Sequence, residues 1–432
     1  MLNKLNTLIQ TSVLIGLLAL AAPAEDRKYV VHLGSNTIAA TVAARHGMTV
    51  VKSLEGSGTG IHVLSAPKSQ DAWRVVQSLA GDPAVRGAET DSAVMLPGLK
   101  AAAQVHSASA SKPAFPLDGT LTHYYTSMAA NGYVNQPAAA AIKISDAHKS
   151  ATGKGKVAVL DTGVDFSQPV LMGSVVPGWD FVHSQPGGQE VADTNQETTP
   201  ILDQETTPIL DSKKYPAYGH GTMVAGLIHL VAPKALIMPV KVFAADGTAT
   251  ISQIVEGIHW AVDHGANVIN MSFSTVVPSD ALKEAIGYAN SKGVICVVSA
   301  GNDGKAEVVF PAAYPSVIDV ASISNQGVRS LFSNFGSEIT LAAPGEAVIT
   351  TYPGNRYAEV WGTSFSAPLA AGGAALLFDI NHKVTPSQAR TALTHATSIG
   401  QELGAGELDL LQAVTYLSKQ GQDTKGDTTP DH

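Results

Sequence analysis

Four short segments carry side chains that could act together on an acyl group. Asp161 ends the apolar run VAVL and enters the turn DTGVD, His220 stands in YGHGTMVAGLI, Asn302 in SAGNDG, and Ser364 and Ser366 in GTSFSAP. Attack by a hydroxyl on a carbonyl needs a base to take the serine proton, an acidic group to hold the base's tautomer, and donors for the tetrahedral oxyanion. Each residue also has a plainer reading. Asp161 suits a turn or cap, His220 is one of 14 histidines and suits a helix start, Asn302 suits a turn, and serines at helix starts are ordinary N-caps. What sets the four apart is that a carboxylate, an imidazole, an amide and a hydroxyl all fall at element ends of one alternating pattern.

The two serines cannot both serve. The sequence LAAGGAALLF after Pro368 reads as a buried helix, and a proline is best tolerated near a helix's first turn, which places the start close to Ser364. Residues two apart on a helix point about 200° away from each other, so only one of Ser364 and Ser366 can face a cleft. Free amides and the positive helix end would stabilise an oxyanion beside it.

The elements that must position these groups begin near residue 137. Apolar runs KVAVLD, ALIMPVKVF, NVINMSF, VICVVSAGN, VIDVASI and ITLAAPG alternate with helical stretches such as ISQIVEGIHWAVDHG and SDALKEAIGYANSKG. Strands that are apolar throughout, separated by helices, predict an α/β fold with a mainly parallel sheet covered on both faces. In such folds a site forms beyond the carboxyl ends of the strands.

Ahead of this lies a smaller alternation, KYVVHL, NTIAATVAARHG, MTVVKSL, GIHVLSA, SQDAWRVVQSLAGD and AVRGAETDSAVML. The order βαββαβ suggests a small α+β ferredoxin-like module over residues 25–97. Residues 98–136, rich in Ala, Ser, Pro and Gly, read as a linker, and the polar tail 418–432 as disordered. Residues 196–211 repeat QETTPILD twice and read as a duplicated surface loop without chemistry. Residues 1–24 have a weakly basic start, an apolar run from Val13 to Ala22 and an A-P-A site, the layout of a secretory signal peptide.

Composition narrows the function classes. The 432 residues are 15% charged, with 40 glycines and a net charge of −9; the charged share is below the roughly 25% of ordinary soluble proteins. Small residues of this abundance suggest tight packing, and the absence of any basic cluster longer than a pair argues against nucleic acid as a partner. The single cysteine, Cys296, sits in an apolar run and reads as a small buried hydrophobe.

DTGVD, GHGTMVAG, SAGNDG and GTSFSAP, in that order, resemble the four signatures of the subtilisin-like serine proteases, or subtilases, and the likeness runs from about residue 140 to 415. The chain order Asp, His, Ser is that of subtilisin. The resemblance implies a subtilisin-like peptidase domain over 137–417, with Ser364 as nucleophile, His220 as general base and later acid, and Asp161 orienting His220. It implies an oxyanion hole of the Asn302 side chain and the Ser364 amide, and leaves Ser366 a packed helix residue. Substrate would lie as an added strand along Ser272, Phe273 and Ser274, with Gly301 nearby. Where the family usually has glycine, Ser274 would narrow the first specificity pocket. The module at 25–97 resembles the family's propeptide, an inhibitor of its own peptidase released by cleavage between residues 97 and 137. The expected product is a secreted monomeric endopeptidase, extracellular or periplasmic, acting on protein or peptide substrates. Calcium is a known companion of the family, but the short passage from HLVAP into KALIMPVKV leaves no room for the usual tight-site loop, so no metal ligands are assigned. Two other readings are a catalytically silent peptide-binding relative and a sedolisin-type acid peptidase, which would place a glutamate where this chain has His220.

Overall fold

The computed structural model describes residues 26–34, 37–54, 60–96, 120–191, 216–307 and 309–423. The leader, the duplicated segment at 196–211 and residues 98–119 of the expected linker lie outside the described residues.

The larger unit is built on an eight-stranded sheet. Its order is Gln185–Gly187, Gly178–Asp180, Leu236–Lys241, Lys156–Asp161, Val268–Met271, Ile295–Ser299, Ile318–Ile323 and Leu341–Pro344. All neighbours run parallel except the edge pair Gln185–Gly187 and Gly178–Asp180. The expected α/β class is therefore what the chain adopts, and the six apolar runs are its six inner and far-edge strands. Their side chains alternate between two apolar cores. Val157, Val159, Val268, Val297 and Val320 pack with the helices His220–Val231 and Thr363–Ile380. Ala158, Leu160, Met238, Ile269, Met271 and Val298 pack with Ile251–Asp263 and Asp280–Ser291. Cys296 lies in this second core, where burial pushes its thiol up to about 12 and keeps it protonated.

The helices start where the sequence offers caps. Thr250 and Gln253 form a capping box ahead of Ile251–Asp263, and the Ser279 side chain accepts from Leu282 N ahead of Asp280–Ser291. Thr350 Oγ1 and Thr351 Oγ1 donate to the carbonyls of Met223 and Thr222 at 2.6 and 2.8 Å, which clamps the strand Val348–Tyr352 under the helix that His220 begins.

Residues 26–96 form the smaller unit, with the expected βαββαβ order. Its antiparallel sheet runs Thr49–Ser53, Ile61–Ala66, Arg27–Leu33, Val85–Thr90. One face packs on its own helices through Tyr29, Val31, Leu33, Leu64, Val42 and Leu79. The other face, with Val30, Leu54, Ile61 and Val63, belongs to the same apolar cluster as Ile254, Ala281 and Leu282 of the larger unit. Carboxylates complete the seam. Glu89 accepts from Ser279 Oγ at 2.6 Å and Asp280 N at 3.2 Å, and Asp91 accepts from Ser252 N and Oγ at 2.9 and 2.8 Å. Both sit at helix N-termini, where free amides and the helix dipole favour an anion.

Three expectations are corrected. AVRGAETDSAVML is not one strand: Val85–Thr90 ends where Asp91 is drawn to Ser252, and Ala93–Met95 leaves the sheet to pair antiparallel with Thr248–Thr250. Residues 120–136, expected as linker, form a hairpin of Leu121–Tyr124 with Ser127–Ala130 and a short helix, because Tyr124 and Tyr133 are buried and donate to the carbonyls of Leu230 and Gly226 at 2.5 and 2.7 Å. The tail does not begin at 418, since a helix spans Leu410–Asp423, anchored by Leu410, Ala413, Val414 and Leu417 at helical spacing.

The close approach of helix His220–Val231 to its strand makes Gly226 a sensitive point. A Cβ there would stand 2.2 Å from Thr351 Oγ1 and 2.6 Å from Thr350 Oγ1. Gly226→Ala is expected to cost about 1–3 kcal/mol by overpacking, measured as a lower urea midpoint at unchanged slope.

Candidate active site

Asp161 is the last residue of the central parallel strand and has no exposure to water. Its Oδ1 accepts from the amide of Thr162 at 2.7 Å, and His220 Nδ1 lies 2.8 and 2.9 Å from its two carboxylate oxygens. A nitrogen held against a carboxylate carries the proton, so Nε2 is left as the acceptor. Nε2 is buried and has no hydrogen-bond partner. The approach that makes this pair depends on two glycines. Gly219 caps the helix at φ +90°, and a Cβ at Gly221 would stand 2.1 Å from Gly163 O and 3.1 Å from Asp161 Cβ. Small residues on either side of His220 thus let the helix head meet the turn after Asp161.

Ser364 is the second residue of the helix Thr363–Ile380 and is 1% exposed. Pro368 lies inside this helix, and the amide it lacks is the one that would have donated to Ser364 O. Ser272 Oγ supplies the missing donor at 2.9 Å and itself accepts from Asn270 Nδ2 at 2.9 Å. Ser364 Oγ donates to Ser272 O at 3.3 Å, so it is not bonded to His220 Nε2 in this state. The neighbouring Phe365 ring stands 5.5 Å from the His220 ring, which places the helix head beside the imidazole. Ser366 points elsewhere, donating to Pro344 O at 3.3 Å under full burial. Of the two serines, only Ser364 is turned toward the segment at 272.

Asn302 follows the strand Ile295–Ser299 through a turn in which Gly301 has φ +95°. Its Oδ1 accepts from Thr363 N at 2.9 Å and Thr363 Oγ1 at 2.8 Å, which leaves Nδ2 to donate. Nδ2 lies 3.4 Å from where a Cβ on Gly362 would stand, immediately before the serine helix. The Asn302 amide and the helix-head amides therefore share one small region. Along the segment 272–274, Phe273 is fully buried and turns its side chain into the core, 5.3 Å from the Phe243 ring. Ser274 is bridged antiparallel to Met95, which also pairs with Thr248. The end of the smaller unit thus lies as a strand between two segments of the larger one.

Sequence reading passes over a buried polar group behind this site. Thr162, Thr222 and Glu190 are hydrogen-bonded together, with Lys241 Nζ donating to Thr162 O at 2.8 Å. A lysine closing the apolar run ALIMPVK is a visible signal for such a cluster, whereas Glu190 in a polar loop gives none. Among the described residues no three His, Cys, Asp or Glu side chains come together to hold a metal ion. The helix His220–Val231 passes within a few residues into the strand Leu236–Lys241, with Pro233 and Lys234 between them. The residues joining them include no carboxylate set that fits calcium.

With this geometry in hand, the relatives are informative. The family model described as "Subtilase family" matches residues 153–429. Thermitase of Thermoactinomyces vulgaris is 34% identical over 64% of this chain and 94% of its own length. Subtilisin BL of Lederbergia lenta is 35% identical over 59% of this chain and 87% of its own. Among solved structures, fervidolysin of Fervidobacterium pennivorans, described as a keratinolytic enzyme related to subtilisin, superposes with a TM-score of 0.70 at 24% identity. The superposition spans 90% of this chain and 61% of fervidolysin, and at that identity it speaks to the fold alone. A family match over well more than half the chain, on a fold whose strand ends gather the four signature segments, leads to one conclusion: the chain belongs to the subtilase family of serine-type endopeptidases.

Proposed function

We propose that this subtilase cuts peptide bonds with Ser364 as nucleophile, His220 as general base and then acid, and Asp161 as the group that holds His220. The observation that carries the reading is the buried Asp161–His220 pair, with Nδ1 on both carboxylate oxygens and Nε2 left without a partner beside the serine helix. Catalytic hydrogen bonds are often loose before substrate binds, and in this reading Ser364 Oγ gives up its bond to Ser272 O for one to Nε2. The proton then passes to Nε2, Oγ adds to the carbonyl carbon, and the oxyanion is met by Asn302 Nδ2 and the Ser364 amide. His220 returns the proton to the leaving amine. Water hydrolyses the resulting acyl-enzyme by the same route.

Protein or peptide substrate would add a strand between the edge at Ser272, Phe273 and Ser274 and the segment Thr248–Thr250, with Gly301 at the pocket mouth. In this structure Ala93–Met95 holds that place. Residues 25–97 are accordingly proposed as an inhibitory propeptide, secured by Glu89 and Asp91 at two helix heads. The leader-like residues 1–24 support export to the periplasm or medium, and the exported enzyme is proposed to act as a monomer.

Ser364→Ala is expected to abolish both self-cleavage and labelling by a serine-directed phosphonate, while Ser366→Ala leaves both nearly intact; the opposite pattern would reverse the assignment. Asn302→Ala is expected to lower kcat by about 10²–10³ with KM little changed, read in steady-state kinetics on a peptide substrate. In the full chain, Glu89→Ala combined with Asp91→Ala is expected to hasten phosphonate labelling before any processing, because each substitution strips a helix-head anion worth about 1 kcal/mol.

A further inference from the structure

Glu190 takes no part in the steps above, yet it lies buried between the two elements that carry Asp161 and His220. Its Oε2 accepts from Thr162 Oγ1 at 3.0 Å and from Thr222 Oγ1 at 3.4 Å, and the amide of Gly219, the residue before His220, is also directed at the carboxyl group. Each threonine is tied in turn. Thr162 Oγ1 accepts from Gly221 N at 3.0 Å, and Thr222 Oγ1 accepts from Asp165 N at 2.9 Å. Thr162 directly follows Asp161, and Gly221 and Thr222 directly follow His220. One carboxyl group therefore draws together two hydroxyls that stitch the aspartate turn to the histidine helix. A purely architectural filler for this space would be an apolar side chain, since burying an ionisable group carries a desolvation cost.

We propose that Glu190 is a positioning residue that holds Asp161 and His220 in register and whose own charge bears on that pair. The proposal rests on the reading in which that pair acts in catalysis. The charged and titratable groups facing Glu190 are Asp161, Lys241, Tyr218 and Tyr352. Burial pushes the Glu190 carboxyl up to about 8, Asp161 adds to the rise, and Lys241 opposes it. Both tyrosines are raised by burial and stay neutral through that range. Glu190 thus passes from neutral to anionic at mildly alkaline pH, which sets a second negative charge beside Asp161 in a dry site. The linkage has a definite sign. A carboxyl whose folded value exceeds its unfolded value destabilises the fold as pH rises between the two, here from about 4.5 to about 8.

The test compares the full-length chain with its Glu190→Gln, Glu190→Ala and Thr162→Val forms. Glu190→Ala and Thr162→Val are expected to lower kcat by about 10- to 100-fold with KM little changed, as misplaced reacting groups do. Glu190→Gln, which keeps an acceptor for both threonines, is expected to recover most of that loss. It should also erase an ionisation near pH 8 from the kcat/KM profile and flatten the fall in urea midpoint over the same range. Unfolding curves separate failure to fold from failure to position. Full kcat in Glu190→Ala, or a Glu190→Gln profile identical to that of the unsubstituted chain, would overturn the proposal. Phosphonate labelling of Ser364 in the unsubstituted chain is run alongside. Its absence would sink the catalytic assignment itself, whereas normal labelling with unaltered Glu190 variants would sink only the role of Glu190.

Discussion

A carboxylate sealed from water is tolerable only when donors surround it. Asp161 meets that condition with the amide of Thr162 and the Nδ1 of His220, and much of the fold can be understood as what brings those donors within reach. The strand that delivers Asp161 is central in a parallel sheet, so its end cannot drift. The helix that delivers His220 has glycines on both sides of the histidine, so its backbone can come close enough for the ring to reach the acid. Fixing the acid fixes both the ring's orientation and its tautomer, so the nitrogen left beside the serine helix is an acceptor.

The same economy governs the rest of the carboxyl edge. Ser364, Asn302 and the segment at 272 come from separate strands and helices, yet each is anchored by bonds to another member of the group. Thr363 ties Asn302 to the helix head, and Ser272 ties the helix head to the neighbouring strand end. The N-terminal unit docks on the opposite sheet face, at the heads of two other helices, and among its described residues Ala93–Met95 reaches this edge. Its hold therefore uses surfaces separate from the Asp161–His220 pair.

What could be read from the sequence was whatever depends on neighbours in the chain. The run VAVL before Asp161 is apolar at every position and could only be an inner strand; the motif glycines mark close approach; Pro368 marks a helix head. What depends on distant partners was hidden. Tyr124 and Tyr133 look like linker aromatics until the carbonyls of Leu230 and Gly226 stand opposite them. AVRGAETDSAVML reads as one strand because nothing local says that Asp91 will be captured by a helix head. Glu190 looks like a loop carboxylate, and its burial is created by threonines 28 and 32 residues away. The tail helix ran past its expected end because four apolar side chains anchor it before the polar residues begin.

Pro368 carries a consequence for how this edge can vary. By withholding an amide from Ser364 O, it turns a carbonyl that an ordinary helix would satisfy internally into an obligation on another strand, and Ser272 discharges it. The two positions, 96 residues apart along the chain, are therefore coupled physically. Replacing the imino acid would restore the helix's own donor and relieve Ser272 of this bond, whereas keeping it leaves the serine helix dependent on a donor from the neighbouring strand end.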